Sequence, residues 1–462
     1  MSVRTVCSNY DSVKVWQEPL YKDLHQHPEL SMQEERTLGI IKDKLADLGF
    51  HQIEVGGGVV GVLENGAGPT VMLRADFDGL PVKEDTGLDY ASTDTAVDPD
   101  GNTVPVMHAC GHDSHVASLL GMGALMAQAT DQWSGTLQLI FQPGEEIAAG
   151  AQSMVDDGLV DKVATPDVVL GQHVFASNFP AGTVALASGP FMSTAVSMDV
   201  KVYGQGSHGS MPHLSVDPVA LASAIVMRLQ TVISRELNPS DFGVLTVGAI
   251  NAGSKANIIP FEANLKINVR AYSEQVRDKI TGAIERIVAA ECQAAGSPHP
   301  AEFTYHDSYP LTSNDKDATE RLQEAFTAYF GTDRVLDAEP LTASEDFSTI
   351  ARAFGVPYCF WVFSGREEEK DVPNHSPHFA LLLQPTLRTG TEALIAAAMS
   401  YLGKTNRNAA FGSGSCIAFR RLLLPPRPNL QTPKTAPTPG PRLGPQGAGT
   451  GSLYLSCVLS NT

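Results

Sequence analysis

Apolar residues recur every three or four positions across residues 11–25 and 34–48, which predicts two amphipathic helices. Two short apolar runs follow at 58–64 and 70–75, bounded by Gly, Asn and Asp, and these read as strands. A helical stretch at 114–128, a strand at 136–141 and an apolar strand at 167–171 continue the alternation. Helices alternating with strands predict an α/β fold, a mixed and mostly parallel sheet with helices on both faces. Ligands of such sheets gather beyond the carboxyl ends of the strands. Asp76, Cys110, Glu145 and His173 all fall at or downstream of such ends.

The pattern changes in the middle of the chain. Residues 195–203 alternate as a strand, and 217–237 read as a long helix opened by Asp217 and Pro218. Strands at 243–250 and 261–270, a helix at 273–295 and a strand at 301–306 follow. The order βαββαβ is that of a ferredoxin-like unit. It predicts an inserted domain at 190–308 that divides a first domain into 1–189 and 309–404. The first fold resumes with a helix at 316–330, a strand at 358–363 and a helix at 380–402. Residues 405–462 contain no acidic residue and are rich in Pro, so they are expected to be disordered.

Composition narrows the partners. The chain of 462 residues carries 51 acidic and 32 basic residues, a net charge of −19. That argues against nucleic acid and against anionic membrane as partners. No apolar run is long enough to span a bilayer, and the first residues lack the apolar stretch of a secretory signal. Six widely and irregularly spaced cysteines do not read as a disulfide framework. A cytoplasmic location is expected.

The chemistry concentrates in a few short segments. His108-Ala-Cys-Gly-His-Asp-Ser-His115 crowds a thiol and imidazoles onto one turn, a donor set suited to zinc or a similar ion. Taken alone, Cys110 and His112 are equally a buried Cys and a capping His. His115 reads as a third ligand or as a residue that orients the others. Pro143-Gly-Glu145-Glu146 presents two carboxylates at a strand end, one suited to metal and one to proton transfer. Alone, it is also an ordinary acidic turn. His173 ends an apolar strand, and His375 competes with His378 in one loop. Asp76 and Asp78 are placed to hold imidazole tautomers, and Asp113 to orient the neighbouring donors.

These segments, with HPEL at 27–30, RADFDGLP at 74–81, GSHGSMPH at 206–213, NIIP at 257–260, SEDF at 344–347 and NHSPHF at 374–379, run in one order along residues 15–403. In that order the chain resembles the aminoacylase–carboxypeptidase group of dinuclear metallopeptidases. It is most similar to the amidohydrolase branch with hippurate hydrolase, indole-acetyl-amino-acid hydrolases and bacterial N-acyl-amino-acid aminoacylases. The resemblance implies a phosphorylase/hydrolase-like metallopeptidase domain with an inserted lid and dimerisation domain. It implies that Cys110, His112, Glu146, His173 and His375 bind two divalent ions, zinc, manganese or cobalt, with Cys110 placed to bridge them. Glu145 would be the general base and His208 the oxyanion donor, supplied in some relatives by a partner subunit. Asn257 and Arg270 would hold the substrate carboxylate. The expected activity is hydrolysis of small N-acyl amino acids by a homodimer. The alternatives are a dipeptidase or carboxypeptidase on the same scaffold and a catalytically silent binding protein.

Overall fold

The computed structural model describes residues 2–176, 179–367 and 371–404. The Pro-rich segment expected to be disordered, 405–462, lies outside them. In chain order the main helices are α1 (Tyr10–Gln26), α2 (Glu35–Asp47), α3 (His112–Gln128), α4 (Pro218–Thr231), α5 (Glu274–Ala295), α6 (Lys316–Phe330) and α7 (Leu383–Leu402). The strands are β1 (His51–Val55), β2 (Gly58–Asn65), β3 (Thr70–Asp76), β4 (Gly135–Gln142), β5 (Val168–Phe175) and β6 (Val184–Leu186). They continue with β7 (Thr194–Tyr203), β8 (Gly243–Ala252), β9 (Glu262–Ala271), β10 (Glu302–Tyr309), β11 (Val335–Asp337) and β12 (Tyr358–Ser364).

The described residues form an eight-stranded sheet in the order β1-β2-β4-β3-β5-β12-β6-β11. Its centre, β4-β3-β5-β12, is parallel throughout, and antiparallel pairings occur toward the edges. Both faces are covered, and the side-chain alternation shows it. Val71, Leu73 and Ala75 of β3 enter the core beneath α3 and α7, while Met72 enters a second core on the opposite face. Leu137, Leu139 and Phe141 of β4 split from Ile140 in the same way. Helix α3 is buried on every side between the sheet, α1 and α7, which is why it is apolar all round rather than amphipathic.

A second, antiparallel sheet has the order β8-β9-β7-β10. Numbered within the motif, that is 2-3-1-4, the arrangement of a ferredoxin-like unit. Its core is separate: Val200, Leu221, Ile225, Leu265, Ile284 and their neighbours pack between this sheet and helices α4 and α5.

Several elements depart from the pattern-based expectation, which also lacks the short strands β6 and β11. Strand β1 is absent from it, because its pattern is polar on one face and short. The strand predicted at 167–171 extends to Phe175, so His173 lies inside β5 rather than beyond it. Gln172 and His173 interrupt the apolar run in sequence, yet both are buried; Gln172 accepts from Trp361 Nε1 and donates to Gly390 O. The helix predicted at 217–237 is α-helical to Thr231 and then passes into a π-helical turn, Val232–Glu236. The strand predicted to end at 306 continues past a bulge to Tyr309.

Candidate metal centre and active site

The parallel centre of the sheet delivers four chain segments to one edge. Asp76 ends β3, the Glu145–Glu146 turn follows β4, His173 is near the end of β5, and the loop with His375 follows β12. Cys110 and His112 reach the same edge from the start of α3. The residue between them, Gly111, has φ +82°, and a Cβ there would lie 2.4 Å from Val174 Cγ1. Only glycine fits both the left-handed backbone and that close approach. Gly144, at φ +56°, makes the corresponding turn before Glu145.

The five residues that the resemblance implies as ligands lie close together. Ligand atoms of Cys110, His112 and His173 lie within 4.8 Å of one another, and so do those of Cys110, Glu146 and His375. Cys110 belongs to both groups. Its Sγ is 3.4 Å from His173 Nε2 and 3.6 Å from Asn374 Nδ2. His112 Nδ1 donates to Asp78 at 3.1 Å, which turns Nε2 toward the cluster. His173 Nδ1 donates to the Val174 carbonyl at 2.8 Å and likewise frees Nε2. His375 takes φ +68°, donates its backbone N–H to Ala109 O at 2.7 Å, and sets Nε2 3.3 Å from Glu146 Oε2.

These residues fit cations. His112 Nε2 and Glu146 Oε1 are buried without a hydrogen-bond partner, 3.8 Å apart. A buried orphan donor atom carries a desolvation cost that a ligated ion removes. The cluster is also rich in negative charge. Hydrogen bonds that the His375 ring donates to Cys110 and Glu146 push its pKa up to about 11. Burial opposes charge on His112, yet Asp76 and Asp78 raise its pKa well above the usual value. Both imidazoles thus respond to a field that favours positive charge at this point.

Glu145 is buried beside the donors. Burial first, then Glu345, Glu146 and Asp346, push its carboxyl well above the usual range. Behind it lies a buried ionic network that the motif reading did not single out. Arg74 donates to Asp76 (2.6 Å), Glu345 (2.7 Å), Asp346 (3.2 Å) and Gln142 (2.9 Å). The signal was present in sequence: an arginine inside the otherwise apolar strand Thr70–Asp76 demands buried partners.

Three neighbouring residues are assigned by their contacts. His115 uses both ring nitrogens, one on Asp76 and one accepting Val174 N–H, so it is not a donor to the cluster. Asp113 accepts from His25 Nδ1 at 2.7 Å and therefore does not orient the metal-facing imidazoles as expected; it fastens α1 to α3. His378 binds Asp85 O at 2.7 Å and leaves His375 without a competitor.

A cavity of about 290 Å³ opens over the cluster. Cys110, Glu145 and His375 line it together with Ser197, Arg270 and Tyr309. Arg270 donates to Thr342 O (2.7 Å), Ser344 Oγ (3.1 Å) and Asn268 Oδ1 (3.2 Å), and no carboxylate pairs with it among the described residues. His208 and Asn257 are not brought to this cavity. Both are exposed at the short ladder of Ser207–His208 with Ile258–Ile259, where Gly209 N–H donates to Asn257 O.

Residues 72–400, which contain every donor named above, match Peptidase family M20/M25/M40. The chain belongs to this family. As a member of the peptidase family it is a hydrolase acting on amide C–N bonds. Among its relatives, Thermostable carboxypeptidase 2 of Saccharolobus solfataricus is 33% identical over 82% of this chain and 94% of that protein. Hippurate hydrolase of Campylobacter jejuni is 34% identical over 84% of this chain and 94% of that protein. The solved structure of the Bacillus subtilis YXEP protein, described as a dinuclear metal-binding peptidase, matches with a TM-score of 0.68 and 28% identity. That match covers 84% of this chain and 98% of the YXEP chain. The expectation of an amidohydrolase on a mostly parallel sheet with a ferredoxin-like insertion is thus borne out.

Proposed function

We propose that the chain hydrolyses N-acyl amino acids to a carboxylic acid and a free amino acid, with Glu145 as the proton carrier. The observation that carries this reading is that Glu145 and Arg270 line one cavity. Its lining holds a buried acid beside a metal-type donor cluster and, with them, a guanidinium without a carboxylate partner among the described residues. A substrate with an amide next to a free carboxylate spans these two groups.

Cys110, His112 and His173 would hold one divalent ion and Cys110, Glu146 and His375 a second, with the thiolate shared. Bound there, the pair would polarise the amide carbonyl and acidify water, the chemistry of two-metal hydrolases. The donor set of imidazole, thiolate and carboxylate suits zinc, manganese or cobalt. Glu145 takes a proton from the attacking water and returns it to the leaving amine. Arg270 anchors the substrate carboxylate, and Asp78 holds His112 in the tautomer that presents Nε2.

His208 and Asn257 remain assigned to the oxyanion and the substrate carboxylate, and we propose that a partner subunit supplies them. Exposed apolar residues in and beside that ladder, Met211, Leu214, Ile258 and Phe261, support a homodimer there.

The test is a panel of N-acetylcysteine, N-benzoylglycine and an N-blocked dipeptide, each with zinc, manganese and cobalt. Hydrolysis of the first two in preference to the dipeptide is expected. Preference for the dipeptide would favour the carboxypeptidase reading, which the Saccharolobus relative keeps in play. Glu145→Gln should keep its metal and lose turnover by at least a hundred-fold, roughly the scale of general acid–base catalysis. A Gln variant with wild-type turnover would refute the assignment.

A further inference from the structure

The last strand of the second sheet ends irregularly beside the catalytic turn. Ala195 of β7 pairs with Tyr309 and Ser197 with His306, so two steps on β7 oppose three on β10. The extra residue is a bulge, and Asp307 within it takes φ +46°. A regular ladder would set Ser308 opposite Ala195. The bulge sets Tyr309 there instead, on the face that Ala195 and Ser197 turn to the cavity. Bulges beside active sites commonly re-aim one side chain in this way. A non-glycine residue at positive φ is a cost the fold carries at this point.

The re-aimed phenol reaches the other sheet's territory. Tyr309 Oη donates to the backbone carbonyl of Glu145 at 3.2 Å. Its own carbonyl accepts from Thr194 Oγ1 at 2.8 Å, and Thr194 Oγ1 accepts from Arg277 Nη1 at 3.0 Å. Glu145 needs such support. It opens a three-residue 3-10 turn flanked by left-handed Gly144 and Ala148, held internally by a bond from Ala148 N–H to Glu145 O. A turn this short has few bonds to fix the direction of its first side chain.

We propose that Tyr309 is a positioning residue for Glu145: its hydroxyl pins the catalytic turn from the inserted sheet and sets the carboxylate's aim. The inference rests on the reading of Glu145 as proton carrier. It also makes alignment of the base depend on where the second sheet sits over the first. A phenylalanine would fill the same space and close the same cavity wall, but would leave the carbonyl held only from within its own turn, by Ala148 N–H.

Tyr309→Phe separates the two possibilities. With N-benzoylglycine as substrate, wild type, Tyr309→Phe and Glu145→Gln are compared for kcat, KM, metal per chain and Tm. Loss of one aiming hydrogen bond should lower kcat roughly ten-fold. KM should stay within about two-fold, on the view that the phenol does not bind substrate. Metal content and Tm should match wild type. A kcat within two-fold of wild type overturns the proposal. So does a loss confined to KM, which would make Tyr309 a substrate wall, or a loss that tracks metal content or Tm. A silent Tyr309→Phe beside an inactive Glu145→Gln removes only the role of Tyr309. An active Glu145→Gln removes the function on which it rests.

Discussion

Arg74 is the residue on which most of the buried charge converges. Its guanidinium is fully buried and contacts three carboxylates and one amide. Two of the carboxylates beside Glu145, Glu345 and Asp346, are held by it. Breaking such a buried pairing by removing one partner costs about 3–5 kcal/mol, because the remaining charges stay buried. Arg74→Met should therefore lower unfolding free energy by roughly that amount in a denaturant titration. A change below about 1 kcal/mol would mean the network relaxes by neutralising its acids instead. Of the residues at the site, the donors were the legible ones. Cys110, His112, Glu146, His173 and His375 lie in short motifs whose family resemblance singled them out, and the fold brings them together. Asp113 and His378 share those motifs and point elsewhere, which motif spacing alone does not distinguish. Tyr309 carried no signal, since its direction depends on a bulge rather than on a pattern.

At the scale of elements, strong periodicity was readable and weak periodicity was not. Helices α1, α2, α5 and α6 follow from their apolar spacing, and β3 and β4 from apolar runs at the right length. Strand β5 was cut short by polar residues whose partners come from β12 and α7, which local sequence does not contain. The turn into α3 is the element on which the metal donors depend most. Gly111→Ala should cost about 1–2 kcal/mol in backbone strain alone. It should also push Val174 aside and shift Cys110 against His112. The expected outcome is a lowered Tm together with less than the wild-type metal per chain. A variant with wild-type metal content would show that the turn tolerates the strain without moving its donors.

At the scale of the molecule, the cavity is built by both sheets but lacks two of its expected residues. His208 and Asn257 stand on an exposed ladder, away from the Glu145–Arg270 axis. If a second copy supplies them, a mixture of His208→Ala and Glu145→Gln subunits should recover activity that neither has alone. Each mixed dimer would contain one intact composite site. Failure to recover any activity, with mixed dimers demonstrated, would place the function of His208 outside catalysis. Sequence order gave the ferredoxin-like insertion directly, because its βαββαβ pattern interrupts the α/β alternation. Completion of the site by a second copy would be a property of assembly, and no stretch of one chain encodes that locally.

The spread of the donors along the chain has a consequence in time. Cys110, His112, Glu146 and His173 precede the second sheet, whereas His375 follows it. During synthesis four donors therefore emerge well before the fifth, since chains fold from the N-terminus as they are made. Closing so long a span is cheap, because each doubling of its length adds only about 0.6 kcal/mol. The last donor to emerge is also the most open to solvent, with 54% of the His375 side chain exposed against 7% for Glu146. The nascent chain thus carries an unfinished ligand set until the insertion is complete, and the histidine that finishes it arrives from the solvent side.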